Sequence, residues 1–160
     1  MANNLAAQIV SLGEARGKPV EPEELEPRNA AMVGAGRGHS AADHILATQW
    51  MDGFRRRMAA WWTSGHNLLL MPSLGVAPFP LGWIPPDDLS TAFGRTAHAV
   101  AFTSAINASG QPAISLPLHR TEAGLPVGVQ LVAAAGREDL LIRVAAQIEQ
   151  VRPFEHPAMG

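Results

Sequence analysis

The chain has 160 residues, 47% hydrophobic and 16% charged, which is long enough for one domain with a core and too apolar for a disordered segment. A formal net charge of −2 gives no electrostatic reason to expect nucleic acid or an anionic membrane as partner. The absence of cysteine excludes a disulfide framework and thiolate chemistry, as suits a reducing cytosol. MANNLAAQIV lacks the basic start and apolar core of a signal peptide, and no run reaches the roughly 20 apolar residues of a membrane span, so a cytoplasmic location is expected.

Along the chain, Leu5, Ile9 and Leu12 recur at helical spacing, and Gly13, Gly17 and Pro19 close that helix. After Pro22 the acidic residues Glu23, Glu24 and Glu26 suit a helix N-terminus, with Leu25, Met32 and Val33 facing inward. The segment Gly34 to Ser40, GAGRGHS, lacks a preceding strand and matches neither G-x-G-x-x-G nor G-x-x-x-x-G-K-[ST]. It therefore reads as a flexible link between helices rather than a phosphate loop.

Ser40 with Asp43 forms a capping pattern that opens a long helix to about Trp62. Leu46, Trp50, Phe54, Met58 and Trp62 lie at steps of four, widened by Ile45, Met51 and Trp61, the pattern of a core helix. Arg55, Arg56 and Arg57 read as a solvated helix face, with an anion site as the alternative. His39, Asp43 and His44 are conceivable metal ligands, but His39 falls before the cap, so surface polar roles are expected and no metal or other cofactor is implied.

Asn67 to Met71 is an unbroken apolar run, as in a central strand covered on both faces. Pro72, Pro78, Pro80, Pro85 and Pro86 make the following stretch irregular, with Phe79 and Trp83 on the loop. These two aromatic residues either seal a core or contact a ligand. Helical spacing resumes from about Thr91 to Ile106 through Phe93, Ala97, Val100 and Ala101, with an interruption at Gly94; His98 there has no evident carboxylate partner.

The most constrained stretch runs from Phe102 to Leu131. Ala113 to Leu118 alternates Ile114, Leu116 and Leu118 with small or polar residues, and Val127 to Val132 repeats the two-residue period. The connection through Glu122, Gly124 and Pro126 makes the pair a hairpin with a loose loop, and Gly128 leaves a gap for another backbone or a ligand. Leu140, Leu141, Val144, Ile148 and Val151 then form one face of a last helix, stopped by Pro153 and Pro157. The tail from Phe154 to Gly160 is expected to be loosely held.

This order of elements resembles the C-terminal part of the amidase signature family: N-x-x-G-Q-P-A-I-S-L-P, then G-L-P-V-G-V-Q-L-V and a closing helix, with NLLLMPSLG (Asn67 to Gly75) upstream. The resemblance implies an α/β fold, here a partial mixed sheet flanked by helices. It would hold Leu68 to Met71, Ile114 to Leu118 and Val127 to Val132. Residues 1–160 then form a single or partial domain, helical over 1–65 and sheet and helix over 66–152.

The resemblance also implies amide hydrolysis by a serine nucleophile, a second serine in a cis peptide bond and a lysine base. A serine hydroxyl needs a base to take its proton, and a lysine serves as one only when it is neutral. Lys18 is the only lysine, it lies in the polar turn GKPVEPEE, and the eight serines are scattered with no glycine-serine cluster. No catalytic residue is therefore assigned within the chain.

The expected role is that of the C-terminal portion of an amidase, inactive alone, which takes a small amide substrate only together with the missing N-terminal part. A non-catalytic remnant acting as a binding module and an unrelated α/β domain are the alternatives. Ser73, Trp83, Phe102 and Asn107 are the candidate substrate-binding residues. Apolar side chains left exposed are expected to favour self-association.

Overall fold

The computed structural model describes residues 2–154, and the protein divides into two compact units, Met1–Trp50 with Leu81–Thr96 and Met51–Pro80 with Ala97–Gly160. In chain order it forms α1 (Ala2–Ala15), a 3-10 turn (Pro22–Glu24), α2 (Pro27–Arg37), α3 (Ala41–Thr63), β1 (Leu69–Pro72), α4 (Leu89–Ala99), α5 (Ala101–Ser109), β2 (Ala113–Arg120), β3 (Pro126–Val132) and α6 (Glu138–Val151). The α/β class expected from the sequence is borne out. No helix among the described residues is long and apolar enough to cross a membrane.

In the first unit α1 and α2 meet where Gly36 is buried against the backbone of Ala2 and the side chain of Ala6. The glycines expected to form a loose link are thus helical as far as Arg37, because the absent side chain at Gly36 lets α1 approach. The acidic stretch after Pro22 forms the short 3-10 turn, and the helix proper begins at Pro27, a residue whose fixed φ suits a first helical position. Arg16 grips Glu24 with two hydrogen bonds, at 2.9 and 2.5 Å, and also donates to the Pro19 carbonyl.

Ser40 and Asp43 make the reciprocal cap read from the sequence. The Asp43 N–H donates to the Ser40 hydroxyl at 3.1 Å, and the Ser40 N–H donates to the Asp43 carboxylate at 2.9 Å. Asp88 caps α4 in a similar way, accepting from the Thr91 N–H at 3.0 Å. Arg95 lies over the Trp83 ring, 5.2 Å from its centre, and donates to the Trp83 carbonyl.

The second unit is built on a three-stranded sheet in the order β1-β3-β2, with both pairings antiparallel. Its pairing differs from the mixed one expected. β1 and β2 do run the same way, but the strand between them, β3, returns through the hairpin and is antiparallel to each. Among the described residues β1 is accordingly at an edge of the sheet and β3 lies between its two partners. Leu70 on β1 is 67% exposed, whereas Gln130, Leu131 and Val132 on β3 are buried. β2 carries one extra residue between Leu116 and His119. Pro117, which has no N–H to give a ladder, occupies this bulge.

One core gathers Leu116, Leu131, Ala133, Leu141 and Ala145, so α6 covers one face of the sheet. Trp62, Ile106 and Val132 form another core, which Met58, Leu69 and Met71 join. The long stripe on α3 is therefore not a core along its whole length. Trp62 is 8% exposed and joins this core, but Leu46 is 63% and Trp50 64% exposed. Val151 at the end of α6 is likewise exposed, whereas Phe154 packs on the first core. Pro157 and the rest of the tail from residue 155 lie outside the described residues.

The expected interruption at Gly94 falls instead at Val100, between α4 and α5. Its cause is an incoming backbone: the Gly75 N–H donates to the Ala99 carbonyl at 2.9 Å, and a Cβ at Gly75 would collide with the His98 carbonyl oxygen. Gly94 has open space around it. Gly75→Ala is expected to cost about 1–3 kcal/mol and Gly94→Ala to add about 0.5–1 kcal/mol, as read from urea unfolding midpoints; equal effects would contradict this account of the break.

Hydrogen bonding from Arg16, and then from the Glu21 backbone, lowers the Glu24 pKa from 4.5 to about 2. A depressed folded-state value contributes stability above the unfolded value and loses it as pH falls through the folded one. The link should therefore weaken between pH 4.5 and about 2. An NMR titration of the Glu24 carboxyl is expected to show that low midpoint, and Arg16→Ala to move it back toward the ordinary glutamate range.

Candidate functional site

The hairpin and the end of β1 bring two hydroxyl groups from separate strands together. β1 pairs with β3 as far as Pro72 opposite Val129, and the Ser73 N–H continues the ladder by donating to the Gly128 carbonyl at 3.0 Å. On β2, Ser115 stands opposite Gln130, one step from Gly128 on the same face. The two hydroxyls lie 2.5 Å apart. A Cβ at Gly128 would sit 2.7 Å from each of these oxygens. The gap that Gly128 leaves in the strand is thus occupied by the two serine side chains.

These residues floor a cavity of about 400 Å³ walled by Leu74, Val76, Pro78, Pro117, Pro126 and Val127. Among the described residues no charged side chain lines it. With no base beside them, Ser73 and Ser115 are placed to give and accept hydrogen bonds rather than to act as nucleophiles.

Of the four candidate residues, Ser73 lines this cavity. Phe102 and Asn107 lie on α5 in the same unit, both exposed and about 140° apart around the helix axis. Trp83 belongs to the other unit, half-buried beneath Arg95. Ser115 was not among the four. The signal that finds it is alternation, since Ser115 faces away from Leu116 as Gly128 faces away from Val129; a count back from the loop misplaces it by one residue because of the bulge in β2.

The remaining polar candidates have local roles. His39 Nδ1 lies 2.6 Å from Asn3 Oδ1, and His44 Nδ1 lies 3.4 Å from Asn3 Nδ2. The hydrogen bond from the Ser40 side chain, followed by that from its backbone, lowers the Asp43 pKa. Arg55 donates to Asp52 at 3.0 Å and to the Ala108 carbonyl at 3.1 Å. Lys18 is exposed and borders a separate cavity of about 310 Å³ with Ile9, Gly13, Val20 and Arg37.

A family model described as Amidase matches residues 10–142. The 6-aminohexanoate-cyclic-dimer hydrolase of Paenarthrobacter ureafaciens is 32% identical over 157 residues, covering 94% of this chain and 32% of that protein. The putative amidase AmiC of Mycobacterium leprae is 35% identical over 159 residues, covering 98% of this chain and 33% of the relative. A solved structure of 6-aminohexanoate cyclic dimer hydrolase superposes with a TM-score of 0.90 at 32% identity, over 98% of this chain and 34% of that one.

With its hairpin, its closing helix and this match in agreement, the chain belongs to the amidase family of amidase-signature enzymes. It spans about a third of the length of the curated relatives it matches.

Gly128→Ala is expected to destabilise the protein by about 1–3 kcal/mol, because the new methyl meets two hydroxyls already in contact. Adding Ser115→Ala should recover part of that loss in a double-mutant cycle. Strict additivity of the two changes would show that the hydroxyls do not fill the space above Gly128.

Proposed function

We propose that these residues serve as the C-terminal portion of an amide-bond hydrolase, completing its sheet and contributing part of its substrate pocket. The reading rests on the agreement of nearly the whole chain with about a third of each amidase relative. The nucleophile and base then come from residues outside these 160, since the only lysine lies in the turn after α1 and the serine that follows the glycines of GAGRGHS, Ser40, is engaged in the cap of α3.

Ser73, Phe102 and Asn107 are assigned to the substrate side of the sheet unit. Trp83 is a separate candidate for substrate contact within its own unit. The substrate class is a small amide, by analogy with the hydrolase relatives.

The chemistry sets the expected activity of the chain by itself. Losing a single oxyanion donor commonly costs about 10²-fold in rate, and here nucleophile, base and donors are all to be supplied from elsewhere. The purified chain, assayed against aryl and alkyl amides and sized by light scattering, is expected to show only background hydrolysis and some self-association. Turnover abolished by Lys18→Ala in a monodisperse monomer would overturn this reading. Reading the coding sequence upstream of Met1 should reveal a lysine and a glycine-serine segment; finding neither would favour a non-catalytic relative.

A further inference from the structure

The cavity of about 310 Å³ in the first unit is made by the way α1 ends. Gly17, at φ 73°, turns the chain back: its N–H donates to the Glu14 carbonyl at 3.2 Å, and the Lys18 N–H donates to the Gly13 carbonyl at 3.1 Å. Gly13 is buried beneath that turn, and a Cβ on it would stand 3.2 Å from the Lys18 carbonyl oxygen. Arg16 fixes the turn, donating to the Lys18 carbonyl at 3.1 Å and to the Pro19 carbonyl while it grips Glu24. The backbone that carries Lys18 therefore needs no further ordering when a ligand engages the side chain.

The charges on the cavity wall are unbalanced. Lys18 and, from the last turn of α2, Arg37 border it together with one carboxylate, Glu14. Among the described residues none of these three side chains makes an ion pair or a hydrogen bond. Glu24, already held by Arg16, feels Lys18 only as the least of the influences on its pKa. Two cations against one anion leave a surplus of a single positive charge, which suits a monoanion and leaves a dianion facing Glu14 uncompensated.

The rest of the wall is hydrocarbon from Ile9, Val10, Pro19 and Val20, of which Val20 is buried. Most of the rim is exposed, so an ion that enters keeps water on its outer side. The attraction is accordingly the modest one between accessible charges, and it is sensitive to salt. The volume lies at the lower end of the roughly 300–1,000 Å³ usual for small-molecule sites.

We propose that this cavity binds a small carboxylate with a short aliphatic chain, its oxygens held between Lys18 and Arg37 and its hydrocarbon against Ile9, Val10 and Val20. The site stands apart from the hydrolase role proposed above: it lies in the unit that holds neither Ser73 nor Ser115 and takes no residue from the other.

The test is a titration of the ¹⁵N-labelled chain with pentanoate, pentanamide, pentylammonium and inorganic phosphate, followed by NMR. Pentanoate is expected to shift the amide signals of Gly17, Lys18 and Val20 and to bind about fivefold more tightly than pentanamide or phosphate, with pentylammonium weakest. Lys18→Gln and Arg37→Gln, each checked for folding by circular dichroism, should each weaken pentanoate about threefold, whereas Glu14→Gln should tighten it about threefold. Raising the salt from about 0.01 to 1 M should remove the preference for pentanoate over pentanamide.

Equal binding of the four probes, shifts confined to other residues, or unchanged affinity in both cation variants would overturn the site. An equally strong response to phosphate would overturn the aliphatic carboxylate as its ligand, and tighter binding of pentylammonium would show that Glu14 governs the wall. Should a variant fail to fold, the salt series and the comparison of probes on the unaltered chain decide the matter. Binding is read without turnover, so neither result bears on the hydrolase role.

Discussion

The second unit depends on one strand having partners on both edges. β3 pairs with β2 through the hairpin and with β1 on its other side, so every other element of that unit is placed by reference to it. Its last residues are the most deeply buried in the sheet, with α6 against one face and the ends of α3 and α5 against the other. A one-residue slip of β3 would exchange those faces and put Leu131 where Val132 must sit, between Trp62 and Ile106. The extra residue in β2 absorbs the misfit between the strands near the loop and leaves the buried end in register.

The same strand makes the hydroxyl pair possible. Its open end has a glycine where its buried end has valine and leucine, and the loop after β1 folds back over that glycine. The loop is held twice, once by Ser73 on β3 and once by Gly75 on the end of α4. Side chains on the intervening turn are thereby presented along one wall of the cavity. Binding groups carried by a loop pinned at both ends lose less conformational freedom on engaging a ligand than groups on a free loop.

The hairpin, the cap of α3 and the amphipathic α6 were legible in the sequence because each is specified locally, by alternation, by a side chain three residues from its partner, or by a helical stripe. What could not be read locally depended on distant backbone. Gly36 looks like a loop residue until α1 lies against it, and Gly94 looks like a breaker although the break is made at Val100 by the approach of Gly75. The apolar run at β1 suggests a central strand, yet among the described residues it pairs with β3 alone. The same holds for the site. Ser73 stands out after a buried strand and before a proline-rich loop, but Ser115 is one small residue in an alternating strand until the register fixes what it faces.

The order of strands in space also bears on the order of events in folding. β2 and β3 are neighbours in sequence and close a short loop, so their pairing carries a small entropic cost. β1 precedes both and is separated from them by two helices, and it must cross that distance to dock on the far edge of β3. The hairpin with α6 is therefore the natural nucleus, and β1 the late arrival. Ser73 arrives with β1, which means that the cavity assembles last and its floor reports completion of the fold.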